Sequence, residues 1–229
     1  METRLKGTYG NPKLCVTLYR QNAHLLQVNS AFTSVASLDF GVSISPHKEE
    51  IREKIAQLKM RFPDEMVVNC SQLICNRLEQ LDLFQNAKCI ACYYATHSEV
   101  QTAELIEKWR TEKQIVLPAI SGDQMHFHPY TGKENLKKGL FGLFEPVSNE
   151  IIPPETIDLF IVPGIAFDYA CNRTGRGKGY YDRYLSDVNK PKIGLCFDFQ
   201  LLKSIPCDMY DQKMTLVMTE NLTVSSHHQ

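Results

Sequence analysis

No stretch of this 229-residue sequence holds the roughly 20 consecutive apolar residues that a membrane-spanning helix needs. Its first residues also lack the unbroken apolar segment of a secretory signal, since Arg4 and Lys6 are followed by Gly7, Asn11 and Pro12. Net charge is almost absent: 25 Lys and Arg against 26 Asp and Glu leave -1. A chain so balanced presents no broad field to nucleic acid or to an anionic membrane, and any anion it holds must be bound by a local cluster. Internal repeats and low-complexity tracts are missing as well. We expect a cytoplasmic monomer with no nucleic-acid partner and no membrane partner.

Cysteine is present, at 8 residues, but without the crowding into a small loop-rich chain that marks a disulfide framework, so reduced thiols are expected. Cys89 and Cys92 have the spacing of half a zinc site. They lie inside the apolar run 87–95, where an extended backbone points them to opposite faces, and no second pair accompanies them. Core thiols are the better reading. His126 and His128 share one strand face, again without companion ligands, and read as a polar face. The glycosylation triplets at Asn69, Asn172 and Asn221 matter only in an exported chain.

The length suits one full-sized domain. Residues 1–44 show little periodicity and read as an extension of unknown role preceding a domain over 45–229. Ser45-Pro46 offers an N-cap and a first-turn proline for a helix that places Ile51, Ile55 and Leu58 on one face and Lys48 and Arg52 one turn apart. A second helix passes through Leu73, Arg77, Leu78 and Leu81. Residues 88–94 read as a buried strand, and Ser98 to Gln101 match a capping box that opens a helix through Leu105, Ile106 and Trp109. Residues 114–120 and 125–130 form a hairpin around Ser121-Gly122-Asp123. Strands follow at 157–163, 192–197 and 214–219, with helical spacing at 180–185 and a short helix near Leu201. This alternation predicts a single α/β domain of three layers: a mostly parallel, Rossmann-like sheet with helices on both faces and ligand at the carboxyl ends of its strands.

The densest chemistry lies in Arg173-Thr174-Gly175-Arg176-Gly177-Lys178-Gly179-Tyr180-Tyr181-Asp182. Alternating glycines let backbone N–H groups approach an anion, and the cations supply the charge a phosphate needs. It is not a Walker loop, because Lys178 is followed by Gly179 and no hydroxyl. Nor is it a dinucleotide fingerprint, which needs its third glycine one place later. A phosphate-binding loop with an aromatic platform remains, Arg176 and Lys178 opposing charge on a transferring phosphoryl group.

With its flanks, Ile161-Val162-Pro163-Gly164 before it and Arg183-Tyr184-Leu185 after it, this segment closely resembles the signature of the 5-formyltetrahydrofolate cyclo-ligase family, also called 5,10-methenyltetrahydrofolate synthetases. The likeness continues through 194–202, Ile205-Pro206, Asp211 and Thr219, and reappears at 48–52, 93–102 and 141–146, so it spans about residues 46 to 220. The resemblance implies ATP-dependent conversion of 5-formyltetrahydrofolate, with or without a polyglutamate tail, to 5,10-methenyltetrahydrofolate, with ATP as co-substrate and Mg²⁺ as cofactor. It places Lys48, Arg52 and Arg173, Thr174, Gly175, Arg176, Gly177, Lys178, Gly179, Tyr180, Tyr181 and Asp182 on ATP. Tyr94 and Glu99 fall at folate-contacting positions, with Arg176 to Tyr180 shared between the two substrates. Asp182 and Asp211 match metal positions, and Arg176, Lys178 and Tyr181 carry catalysis.

Plainer roles compete at several of these residues. Lys48 and Arg52 suit the wet face of an amphipathic helix, Glu99 a charge at a helix start, Asp182 a partner for Arg183, and Asp211 an ordinary turn. Thr174, Tyr210 and Thr215 depart from the family pattern, which usually has an aliphatic residue, a histidine and an acid there. A nucleic-acid module reading phosphates and bases through the same loop, or a different ATP-dependent ligase or kinase, are the rival functions.

Overall fold

The computed structural model describes residues 47–139 and 142–226. The expected Ser45-Pro46 cap and the extension over residues 1–44 lie outside the described residues. The first helices are α1 (Lys48–Arg61), α2 (Asp64–Glu79) and α3 (Asp82–Asn86), followed by β1 (Cys89–Ala91), α4 (Ala103–Trp109) and the hairpin β2 (Gln114–Ser121) and β3 (Gln124–Pro129). Next come β4 (Leu136–Lys138), β5 (Phe144–Pro146), β6 (Leu159–Pro163), β7 (Ala166–Asp168), β8 (Arg173–Thr174) and α5 (Tyr180–Leu185). The chain finishes with β9 (Lys192–Leu195), β10 (Leu201–Leu202), β11 (Leu216–Met218) and β12 (Thr223–Ser225). Among the described residues no helix is long and apolar enough to cross a membrane.

Seven strands form the main sheet in the order β12-β11-β9-β6-β1-β2-β3. Its inner pairs, from β11 to β2, are parallel, and only the edge strands β3 and β12 run antiparallel. The chain winds outward from β1 through β2 to β3, then returns to the other side of β1 to lay down β6, β9 and β11. That reversal leaves a crevice beyond the carboxyl ends of β1 and β6, where such sheets bind ligands.

Register shows why the strands are apolar on both sides. Ala91 lies opposite Phe160, and Val162 opposite Gly194, which in turn lies opposite Val217. These residues share one face and pack with Phe127, Phe167, Leu185 and the rings of Tyr180, Tyr181 and Tyr184 from α5. On the other face Ile90, Leu159, Ile161 and Ile193 are equally buried. The helices α2 to α4 are tied together by Trp109 Nε1 donating to Glu79 and by the Phe84–Trp109 edge contact at 5.3 Å, and they contribute Val67, Ile74, Leu78 and Leu105 to the buried set. The expected three-layer α/β domain is therefore what forms.

A second, smaller core was not foreseen. The strands β10, β7 and β8 make a separate sheet, on which α1 lays Ile51 and Ile55 beside Ala166 and Ile205. Each of its strands is only two or three residues long, too short for any periodicity to register. It is fixed by a buried carboxylate: Asp168 accepts from the N–H groups of Ala170, Asn172 and Ile205 and from the Asn172 amide.

One local expectation fails and two are met in shorter form. The capping box at 98–101 does not form, because the helix starts at Ala103 and Gln101 instead donates its amide to the carbonyls of Thr96 and Glu99 at 2.8 and 2.7 Å. The short helix near Leu201 is a 3₁₀ turn at Asp198–Gln200 that ends where β10 begins. The strand at 88–94 is limited to Cys89–Ala91, since the chain leaves the sheet toward the cleft after Cys92 N–H bonds the Val116 carbonyl.

Phe167 welds the two sheets. Its ring is wholly buried and lies against glycines on both sides, so that an added Cβ would stand 2.5 Å from it at Gly164 and 2.3 Å at Gly194. We expect Gly194→Ala to lower stability by roughly 1–3 kcal/mol through overpacking. The cost of combining it with Phe167→Leu should be less than the sum of the single costs, because the shorter side chain vacates the space. Denaturant melts of the four proteins check this, and strict additivity would refute the contact.

Candidate functional site

A cleft of ≈ 920 Å³ opens at the carboxyl ends of the strands. Its walls come from α1, the segment after β1, the β2–β3 hairpin, β5, the glycine loop with α5, and residues 208–212. The glycine loop leaves β8 and turns through Gly177 at φ +90° and Gly179 at φ +68°, left-handed conformations that glycine adopts without a Cβ penalty. Gly177 passes so near Arg52 that a Cβ there would lie 3.4 Å from the guanidinium. The loop is then anchored to the hairpin turn: Tyr180 donates to the Gly122 carbonyl, and Arg183 donates to the carbonyls of Lys178 and Asp123.

The cations of the cleft arrive already engaged. Lys48 Nζ lies 2.8 Å from Asp208 and 2.5 Å from Asp211. Burial would lower the Lys48 pKa, but these two carboxylates outweigh it and hold the amine above its ordinary value. Arg52 donates Nε–H to the Gly175 carbonyl at 2.9 Å and pairs with Glu49. Arg173 is 5 % exposed, pairs with Asp182 at 2.8 Å and stands over the Tyr181 ring at 5.5 Å. Arg176 reaches Glu99 at 2.8 Å. Lys178 differs: exposed at the loop tip, its side chain makes no hydrogen bond or ion pair among the described residues, and it lines the cleft.

Of the residues singled out in the sequence, Lys48, Arg52, Tyr94, Glu99, Arg173, Gly175 to Asp182 and Asp211 line this one cleft. Thr174 stays out of it. The residue is 1 % exposed in β8 and its hydroxyl has no partner among the described residues, because alternation turns it away from the loop. The rival reading of Glu99 as a helix-start charge also fails, since Glu99 precedes α4 and accepts instead from Arg176 and from Thr96 N–H. Asp182 pairs with Arg173 rather than with Arg183. Lys48 and Arg52 face the cleft and not open solvent.

Other participants were missed. Asp208, the second acid on Lys48, is visible in hindsight as an Asp-x-x-Asp spacing with Asp211. Arg183, which stacks on Tyr180 at 5.2 Å, sat within the signature without a role. The Tyr181 phenol is pushed up by burial and has no hydrogen-bond partner among the described residues, an environment no spacing announces. Among the described residues no three His, Cys, Asp or Glu gather to hold a metal by themselves.

Comparison with known proteins agrees in kind. A family model described as the 5-formyltetrahydrofolate cyclo-ligase family matches residues 44–220. A probable 5-formyltetrahydrofolate cyclo-ligase of Schizosaccharomyces pombe is 30% identical over 196 residues, covering 77% of this chain and 96% of that protein. The 5-formyltetrahydrofolate cyclo-ligase of Haemophilus influenzae is 30% identical, covering 72% and 90%. The NMR structure of a 5,10-methenyltetrahydrofolate synthetase from Aquifex aeolicus matches with a TM-score of 0.73 at 31% identity, covering 80% of this chain and 94% of that one.

The Arg176–Glu99 pair sets a pH dependence. Burial would raise the Glu99 pKa, but Arg176 and the Thr96 N–H outweigh it and hold the carboxyl below its ordinary value of 4.5. A folded-state pKa below the unfolded one contributes stability above the unfolded value and loses it as pH falls through the folded value. We therefore expect Glu99→Gln to melt below the wild type at neutral pH, the gap narrowing on acidification below pH 4.5. Paired melting curves across that range check it, and a gap unchanged into strong acid would dismiss the pair as a stabilising contact.

Proposed function

This chain belongs to the 5-formyltetrahydrofolate cyclo-ligase family, and we propose that it uses ATP to convert 5-formyltetrahydrofolate into 5,10-methenyltetrahydrofolate, releasing ADP and phosphate. The observation that carries the ATP reading is the glycine loop, with Lys178 uncommitted at its tip and Arg176 beside it in the same cleft as Lys48 and Arg52. An amide oxygen is a poor leaving group. In the reaction we propose, the formyl oxygen attacks the γ-phosphorus of ATP and ADP departs. N10 then bonds to the formyl carbon and gives up its proton, and the C–O bond breaks to release phosphate.

Lys178 and Arg176 oppose the negative charge spread over the transferring phosphoryl group, and Gly175, Gly177 and Gly179 let the backbone approach it. Lys48 and Arg52 hold the remaining phosphates or the nucleoside. The Tyr180 and Tyr181 rings close the cleft over the reacting groups. Tyr94 and Glu99 lie on the folate side, where Glu99 also aims Arg176.

Mg²⁺ suits this donor set. Asp182 and Asp211 are hard oxygen donors on the cleft wall, and a site with few carboxylates fits an ion that takes much of its coordination from phosphate oxygens and water. When bound, the ion would neutralise charge between the phosphates. We further place the enzyme in the cytoplasm as a monomer acting on folate with or without its polyglutamate tail, and divide the chain into residues 1–44 and the catalytic domain 45–229.

The deciding experiment mixes the protein with MgATP and 5-formyltetrahydrofolate and follows the near-ultraviolet absorbance of the methenyl product. Lys178→Ala and Arg176→Ala should each lower turnover by about 10²- to 10³-fold, the usual cost of a transition-state electrostatic contact. The Lys178 variant should melt like the wild type, because its side chain holds nothing in the empty protein, whereas loss of Arg176 strips Glu99 of its partner. Near-normal turnover in both variants would overturn the phosphate-loop assignment.

A chain lacking residues 1–44 should fold and turn over like the full chain, because every proposed site residue lies beyond them. Loss of ATP binding in the soluble truncated protein would move the domain boundary upstream.

A further inference from the structure

Two largely buried carboxylates line the cleft, Glu99 and Glu145, and they differ in what the fold leaves open. Glu99 has a partner on each oxygen: Oε1 accepts from Arg176 and Oε2 from Thr96 N–H. Glu145, on β5, is 6 % exposed and forms no ion pair among the described residues. Its carboxylate packs on Gly139, where an added Cβ would come within 2.2 Å of Glu145 Cδ. Oε1 accepts one hydrogen bond, from Ile120 N–H at 3.2 Å, and Oε2 accepts none among the described residues. Oε2 is not one of the fully buried unpartnered atoms, so a ligand in the cleft that donates to it gains a charge-assisted hydrogen bond.

The surroundings fit a flat heterocycle. Tyr94 and Phe144 meet edge to face with centroids 5.6 Å apart. Ile120 lies opposite Met125 across the hairpin, and both line the cleft with Pro118 and Leu143. The result is an apolar and aromatic slot with one under-used carboxylate in its wall.

Resting on the folate reading above, we propose that Glu145 recognises the aminopyrimidine edge of the reduced pterin. Its carboxylate accepts the ring N3–H and one N–H of the 2-amino group. Those two donors are coplanar and match a carboxylate's two oxygens, as a guanidinium does. Oε1 keeps Ile120 N–H meanwhile, since a carboxylate offers about four lone-pair sites. Glu145 thus fixes which ring is accepted, and Glu99 serves the same site through Arg176.

The test titrates wild type and Glu145→Gln with 5-formyltetrahydrofolate, with its analogue carrying methyl in place of the 2-amino group, and with MgATP. Wild type should prefer the natural folate by about 10- to 100-fold, as expected for hydrogen bonds to a charged acceptor. Glu145→Gln should lose that preference with MgATP affinity intact, because the amide presents N–H groups to ring donors. A purely structural Glu145, needed only for Ile120, predicts lower stability with the preference retained, and that result overturns the proposal. Equal affinity of wild type for the two folates overturns it too, without any variant having to fold. If wild type binds MgATP but neither folate, the functional reading falls and this proposal with it.

Discussion

A cleft that gathers six cations at one end of a sheet repels itself unless much of that charge is paired, and the pairs that neutralise Lys48, Arg173 and Arg176 also hold its walls together. Lys48 ties α1 to Asp208 and Asp211, some 160 residues later in the chain. Arg173 ties β8 to α5 through Asp182, and Arg176 ties the loop to the segment after β1 through Glu99. Exposed ion pairs of this length contribute little to stability. These join segments that otherwise meet only through short strands, and two of them hold one partner largely out of water, Arg173 at 4 % and Glu99 at 11 % side-chain exposure. Removing Asp182 strands the buried Arg173, and removing Arg176 strands Glu99, which costs far more than either pair is worth as an attraction, whereas Arg176 is half exposed and keeps water when Glu99 is lost.

The place of that cleft follows from winding order. Because β6 returns to the far side of β1, the connections leaving these neighbouring strands diverge and no helix can cover both ends. The chain fills the gap with polar segments: Tyr93 to Glu99 after β1, Gly164 and Ile165 after β6. Gln200 closes the back by donating its amide to the carbonyls of Gly164 and Ile165 while its own oxygen accepts from Phe197 N–H. Since Phe167 fills the space left by Gly164 and Gly194, the loop that carries Arg176 and Lys178 is seated on the main core.

The main sheet was legible because each of its strands needs two apolar faces, so runs such as Leu159 to Val162 stand out whatever their register. The glycine loop was legible because few backbones need three glycines among cations. What escaped detection shares a cause: it depends on partners remote in sequence. The β7, β8 and β10 sheet is assembled around Asp168, whose donors lie at 170, 172 and 205. The capping box failed although its residues were right, because Gln101 found the Thr96 and Glu99 carbonyls, and its own N–H found Ser71 Oγ at 2.8 Å. Thr174 was drawn into the site by its neighbours in sequence, while strand alternation turns its side chain into the core.

The same limit governs the two glutamates. In the sequence Glu99 falls among polar residues at a position matched to folate contact, while Glu145 lies in an apolar run and draws no role from its spacing. The fold separates them by counting donors. Glu99 receives a guanidinium and a backbone N–H, one on each oxygen, which fixes its charge and makes it a strut for Arg176. Glu145 receives a single backbone N–H, on Oε1, packs on Gly139 and lines the cleft. Glu145, with acceptors to spare on the cleft wall, is the carboxylate we assign to whatever donates in the plane of its oxygens.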